Sequence, residues 1–262
     1  MSRGGRVALV VSLSLLAGAC RCGSPKAPKP PGPPYVSEVQ EGPGAAVAIL
    51  VDVSGSMQES WGGAMKSEAA RRALSEALEA TGEFRKRHPD RPVKVGVIAF
   101  SDEVQQVMPM GDYDPERVEQ ALGAIPYTSG RTAIGAALDA AREALYRSGA
   151  IRKYILVITD GENNRGPDPE DVAREIAQRS NGAVSISLVA VDVDPGAFGF
   201  VRELGGDVLS PQDPAALRAA VQQIYEGKIL AEAADEAAEA PAPAGEALPE
   251  APTPTKATGS SK

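Results

Sequence analysis

Residues 45–57 read Ala-Ala-Val-Ala-Ile-Leu-Val-Asp-Val-Ser-Gly-Ser-Met. Apolar side chains run unbroken to Val51, and then the chemistry changes to carboxylate, hydroxyl and glycine. An uninterrupted apolar run that includes β-branched Val47, Ile49 and Val51 suits a strand covered on both faces. Such strands belong to parallel sheets flanked by helices. A polar segment directly behind one lies at the carboxyl edge of the sheet, where open α/β folds place their ligands.

The pattern continues outward from this stretch. Between 66 and 87, Ala70, Leu74, Ala77, Leu78, Thr81 and Phe84 recur with a helical period, and Pro89 and Pro92 end the run. Residues 93–100 (Val-Lys-Val-Gly-Val-Ile-Ala-Phe) and 154–159 (Tyr-Ile-Leu-Val-Ile-Thr) read as buried strands, as do 184–191 and a short stretch at 207–209. Residues 104–110 form a strand too close behind 93–100 for a crossover, so it runs antiparallel. Helices are expected at 115–125, with Asp114 as N-cap and Pro115 in the first position, and at 133–147, 169–180, 197–204 and 213–228. Helices alternating with apolar strands predict a doubly wound α/β fold. Its sheet is mostly parallel with one short antiparallel edge strand, and helices cover both faces.

Three polar segments then fall together at one sheet edge. Asp52-Val53-Ser54-Gly55-Ser56 follows the first strand, Thr159-Asp160-Gly161-Glu162 follows the strand at 154–159, and Ser129-Gly130-Arg131-Thr132-Ala133-Ile134-Gly135 leads into the helix at 133. Together they bring carboxylates and hydroxyls, among them Asp52, Asp160, Ser54, Ser56 and Thr132, without sulfur or imidazole. Such a set of hard oxygens suits Mg²⁺ or Mn²⁺ rather than Zn²⁺ or Cu²⁺.

The order D-x-S-x-S, G-x-T-x-x-G, T-D-G resembles the von Willebrand factor type A domain with a complete metal-ion-dependent adhesion site. The resemblance spans 44–228 and implies a Rossmann-like fold and a Mg²⁺ or Mn²⁺ site built from Asp52, Ser54, Ser56, Thr132 and Asp160. It implies that Ser54, Ser56 and in some members Thr132 bind the ion directly, with Asp52 and Asp160 acting through water. Arg131 and Ser129 depart from the glycines common there. Neutral hydroxyl ligands leave the ion electron-poor, so the resemblance further implies a protein ligand whose Asp or Glu completes the coordination shell. Trp61, Arg131 and Asn163 are candidate partner contacts beside the loops, as are Met57, Tyr127 and Asn164. For Trp61 and Met57 the alternative is that they pack beneath the first loop.

Other activities fit poorly. The net charge is −8, and residues 44–230 hold 27 acids against 20 bases, so no broad basic face is on offer for nucleic acid. The single histidine, His88, stands apart from all three loops and leaves Ser54 and Ser56 without a base. Neither G-x-x-x-x-G-K-[ST] nor G-x-G-x-x-G occurs. A binding module, acting as a monomer, is expected rather than an enzyme. The rivals are an assembly subunit and a metal-dependent hydrolase.

The ends have a different composition. Arg3 and Arg6 precede the charge-free run 7–19, which is too short to span a bilayer. Leu16-Ala17-Gly18-Ala19-Cys20 resembles a bacterial lipobox, although Leu16 sits four places before the Cys where the family favours three. The resemblance implies a signal peptide at 1–19, a lipid on Cys20, and a site in the cell envelope. Arg21, in place of the Asp that favours inner-membrane retention, points towards the outer membrane. Residues 20–43 read as anchor and Pro-rich spacer, with seven Pro in 24–43. The domain is then 44–230. Residues 231–262 hold eleven Ala, five Pro and one large apolar side chain, Leu248, and read as a disordered tail whose start, near 230–240, can run on from the domain as a short helix.

Overall fold

The computed structural model describes residues 32–40, 42–126 and 128–235. The signal peptide, Cys20, Tyr127 and the chain beyond Asp235 lie outside them. Strand β1 (Gly42–Asp52) is the centre of the sheet. It pairs in parallel with β4 (Val93–Phe100) on one side and β6 (Ala150–Thr159) on the other. Between β1 and β4 come a two-residue-per-arm hairpin, β2 (Ser60–Trp61) and β3 (Ala64–Met65), and the long helix α1 (Lys66–Arg87). The edge strand β5 (Val104–Asp112) runs antiparallel to β4, as the short connection requires. Beyond β6 lie β7 (Val184–Ala190) and β8 (Val208–Leu209), both parallel, giving the order β5-β4-β1-β6-β7-β8.

The two-faced burial of β1 follows from its sequence. Val47, Ile49 and Val51 enter one core layer, while Ala46, Ala48 and Leu50 enter the other. The first layer is completed by α1, α2 (Pro115–Gly123) and α6 (Pro214–Ile224). The second is completed by α3 (Ile134–Tyr146), α4 (Pro169–Arg179) and α5 (Gly199–Glu203). The Asp114–Pro115 start is formed as expected, and two more helices begin the same way. Asp114, Asp168 and Asp213 each accept backbone N–H groups of the first turn ahead of Pro115, Pro169 and Pro214.

The last helix is longer than its sequence period suggests. After Ile224 the chain makes a wide π-helical segment, Tyr225–Leu230, and then α7 (Ala231–Ala234). The wide turn buries Tyr225, Ile229 and Leu230 together, a spacing that a regular helix would divide between faces. The Tyr225 hydroxyl pairs with Thr81 Oγ1 at 2.7 Å. Ala233 is fully buried and the Tyr154 hydroxyl donates to Glu232 at 2.9 Å, so the folded chain extends past 230.

The chain also joins the fold before residue 44. Within the stretch read as spacer, Tyr35 lies beneath the Arg179 guanidinium at 3.9 Å, and its N–H donates to the Arg179 carbonyl at 3.0 Å. Glu38 N–H donates to the Tyr146 carbonyl at 3.1 Å, and Arg147 donates to the Glu38 carboxylate at 3.0 Å. Residues 32–40 thus strap the ends of α3 and α4 through one aromatic ring and several backbone bonds.

Candidate metal centre

The parallel registers align the carboxyl ends of the strands, with Asp52 opposite Phe100, Val51 opposite Ile158 and Thr159 opposite Ala190. Asp52 closes β1 and is fully buried. One of its oxygens accepts the Ser54 N–H at 2.8 Å, and the other accepts the Thr159 hydroxyl at 2.6 Å. Burial pushes the Asp52 carboxyl up to about 6, against the lowering effect of the bonds from Thr159 and Ser54. A buried carboxylate in that condition is stabilised by a nearby cation.

A 3-10 turn at Gly55–Gln58, held down by fully buried Met57, brings Ser56 over the strand end. Ser54 Oγ and Ser56 Oγ lie 3.3 Å apart, and Ser56 donates to Asp160 Oδ1 at 2.8 Å. Thr132, buried just before α3, is tied to the third segment. Its N–H donates to Asn164 Oδ1 at 2.9 Å and its carbonyl accepts the Asn164 N–H at 3.0 Å. Gly161 allows this approach, because a Cβ there would stand 3.2 Å from Thr132 Oγ1. The first and second segments are joined by Gly55 N–H to the Gly130 carbonyl and by Thr128 to the Val53 carbonyl. All five residues named from the motif therefore converge, and each segment is bonded to the other two.

The donors fit a small hard cation. Oxygens bound to Mg²⁺ at 2.0–2.1 Å in octahedral geometry lie about 3 Å from their neighbours. The Ser54–Ser56 separation of 3.3 Å lies near that spacing, and Asp160 is hydrogen-bonded to Ser56 beside them. Among the described residues no three His, Cys, Asp or Glu side chains form a group able to hold a metal. An ion held here would draw on the hydroxyls beside the two carboxylates, as hard oxygen chemistry allows.

The flanking candidates take different places. Met57 belongs to the core, and Trp61 is half-buried against the same core layer. Arg131 is exposed but fixed, its Nε donating to Asp102 Oδ1 at 2.8 Å and its N–H to Oδ2 at 3.2 Å. Arg165 reaches the same carboxylate at 3.2 Å. These contacts hold the Asp102 carboxyl below the usual range. Asn163 staples the loop internally, accepting the Gly135 N–H at 3.4 Å and donating to the Pro167 carbonyl at 3.2 Å. His88 stands apart from the three loops, half-buried at the far end of α1 and stacked on Phe84 at 4.7 Å.

Two residues that sequence reasoning passed over belong to the centre. Thr159 clamps Asp52, and its place beside Asp160 in the T-D-G segment is the signal for it. Lys66, at the head of α1, is 4% exposed, and its ammonium lies 3.0 Å from Asp160 Oδ2 and 3.0 Å from Asp192 Oδ2. Burial lowers the lysine's proton affinity, but these two carboxylates outweigh it and hold the pKa above its ordinary value.

The comparisons with known proteins agree with this architecture. Among solved structures, the chain is similar to the conserved hypothetical protein BatB of Bacteroides thetaiotaomicron, with 22% identity, a TM-score of 0.56, and coverage of 72% of this chain and all of that one. An aerotolerance-related membrane protein of Bacteroides fragilis, solved with multiple mutations to serine, is 19% identical at a TM-score of 0.56 over 70% of this chain and all of that one. A von Willebrand factor type A structure from Catenulispora acidiphila is 23% identical, with a TM-score of 0.56, over 72% of this chain and 46% of that one. No curated protein sequence matches significantly. Residues 46–207, well over half of the chain, match the von Willebrand factor type A domain. The chain belongs to the von Willebrand factor type A domain family.

Proposed function

We propose that this domain is a protein-binding module working through a Mg²⁺ or Mn²⁺ ion held by Asp52, Ser54, Ser56, Thr132 and Asp160. The observation that carries the reading is the convergence, at one sheet edge, of two buried carboxylates with hydroxyls at ligand-to-ligand spacing. Bound there, the ion supplies a Lewis-acidic position for an incoming carboxylate. The chain's residues do the rest. Asp52 and Thr159 fix the strand ends, Asn164 holds Thr132, and Met57 anchors the turn that carries Ser56. Arg131 and Arg165 add positive charge at the rim, suited to a partner that presents Asp or Glu.

The two ends of the described domain lie at one edge of the sheet. Asp235, the last described residue, has its carbonyl bound by Arg152 and Arg91 at the amino edge of the sheet. Gly42, at the start of β1, is bonded to Gly149 at that same edge. The candidate centre occupies the opposite edge. A lipid on Cys20, as the lipobox-like segment implies, would tether the protein in an outer-membrane or other envelope setting. Among the described residues no helix is long and apolar enough to cross a membrane.

The test is capture from an envelope extract by the immobilised full-length protein, in Mg²⁺ and in EDTA. Retained protein should fall at least tenfold in EDTA and equally with Thr132→Ala, while truncation after Asp235 leaves capture unchanged. Equal capture in EDTA would falsify the reading.

A further inference from the structure

We infer that Lys66 is a built-in counter-cation that weakens the centre's hold on a divalent ion and keeps the loops assembled without one. This rests on the metal-binding reading above and deepens it. The lysine begins α1, and its backbone N–H donates to the Glu59 carbonyl at 3.1 Å, so the small β2–β3 hairpin fixes where the side chain starts. Its ammonium sits among three carboxylates: Asp160 at 3.0 Å, Asp192 at 3.0 Å and Glu59 at 3.5 Å. Asp160 is the shared member. Its Oδ2 is taken by Lys66 while its Oδ1 faces Ser56.

Two consequences follow from charge alone. The carboxylate offered to the ion is already partly neutralised, and a fixed positive charge stands just behind it in a site screened from water. Both reduce divalent affinity and leave a bound ion more demanding of an external carboxylate. In the ion's absence, Lys66 balances Asp160, which is itself shut off from solvent. Removing one partner of such a buried pair is costly. Asp192 holds a left-handed φ of 55°, a backbone conformation in which Asp is enriched among non-glycine residues.

The experiment is calorimetric titration of the full-length protein with Mg²⁺ and with Mn²⁺, together with melting curves in EDTA. Lys66→Met should bind both ions at least tenfold more tightly, a gain of 1.4 kcal/mol, and melt at a lower temperature than wild type in EDTA. Lys66→Arg, which keeps the charge, should stay within threefold of wild type. Asp192→Asn provides a second route, since its side chain is half exposed and its loss leaves the lysine's charge directed at Asp160. This variant should bind at least threefold more weakly. Unchanged or weaker binding by Lys66→Met, with wild type binding normally, overturns the lysine's role and leaves the metal reading intact. Binding by Lys66→Met but not by wild type supports the lysine's role and corrects the reading of the native site. Failure of both proteins to bind overturns both. If Lys66→Met does not fold, unaltered affinity in Asp192→Asn overturns the inference.

Discussion

Asp52→Ala is expected to abolish the rise in melting temperature that Mg²⁺ binding should produce in the wild-type protein. An ion that binds only the folded state at a hundred times its Kd adds about 2.7 kcal/mol. For a domain of this size that corresponds to a shift of roughly 5–10 °C. Asp52 stands at the junction of all these effects. It is the one carboxylate of the set without a lysine beside it, and it orients both Ser54 and the end of β6. The substitution leaves the Ser54 N–H and the Thr159 hydroxyl without that partner, at about 1–3 kcal/mol. It also removes a buried carboxyl that burial disfavours. The variant should therefore fold, at a somewhat lower melting temperature, and show no response to Mg²⁺. A response equal to wild type would remove Asp52 from the centre.

Gly135→Val disrupts fold and centre together. Gly135 lies in the first turn of α3 and closes the G-x-T-x-x-G segment, and a Cβ there would run into the carbonyl of Pro167. The obstacle is backbone, so either α3 or the 160–168 loop must move. Overpacking of this kind costs about 1–3 kcal/mol, and more where backbone cannot yield. Thr132 stands just before this turn and Asp160 begins the displaced loop, so the Mg²⁺ response should vanish as well. Gly123→Ala is the control, because nothing lies within 4 Å of a Cβ at the end of α2. A Gly135→Val protein that melts like wild type and still responds to Mg²⁺ would contradict this account of the motif's second glycine.

The sequence discloses those parts of the molecule in which the cause is local. An apolar run such as 45–51 can be satisfied only by burial on both faces, so β1 and its neighbours are readable one strand at a time. The Asp-Pro pairs at 114–115, 168–169 and 213–214 carry their own capping chemistry. The motif glycines declare close approaches that the structure then supplies, at Gly135 against Pro167 and Gly161 against Thr132.

What stayed hidden depends on distant partners. A lysine at the head of an amphipathic helix reads as a solvated charge, and only the fold brings Asp160, 94 residues away, to Lys66. Asp192, at a left-handed φ of 55° behind β7, likewise leaves no trace of its ion pair in the sequence. Tyr35 lies in a Pro-rich context that suggests a free spacer. The Arg142 and Arg179 guanidinium groups that receive its ring come from α3 and α4. The π-helical segment escapes a search for a 3.6-residue period because its buried residues are set for a wider turn. A short helix at the start of the tail is legible in its alanines, whereas the burial of Ala233 in the core is not.

The most direct measurement is anomalous diffraction from a crystal of the protein soaked in Mn²⁺. A single strong peak is expected at the carboxyl edge of the sheet, within ligand distance of Ser54 Oγ and Ser56 Oγ and facing Thr132 and Asp160. No peak there, or a peak elsewhere with these hydroxyls still bonded only to one another and to Asp160, would contradict the account.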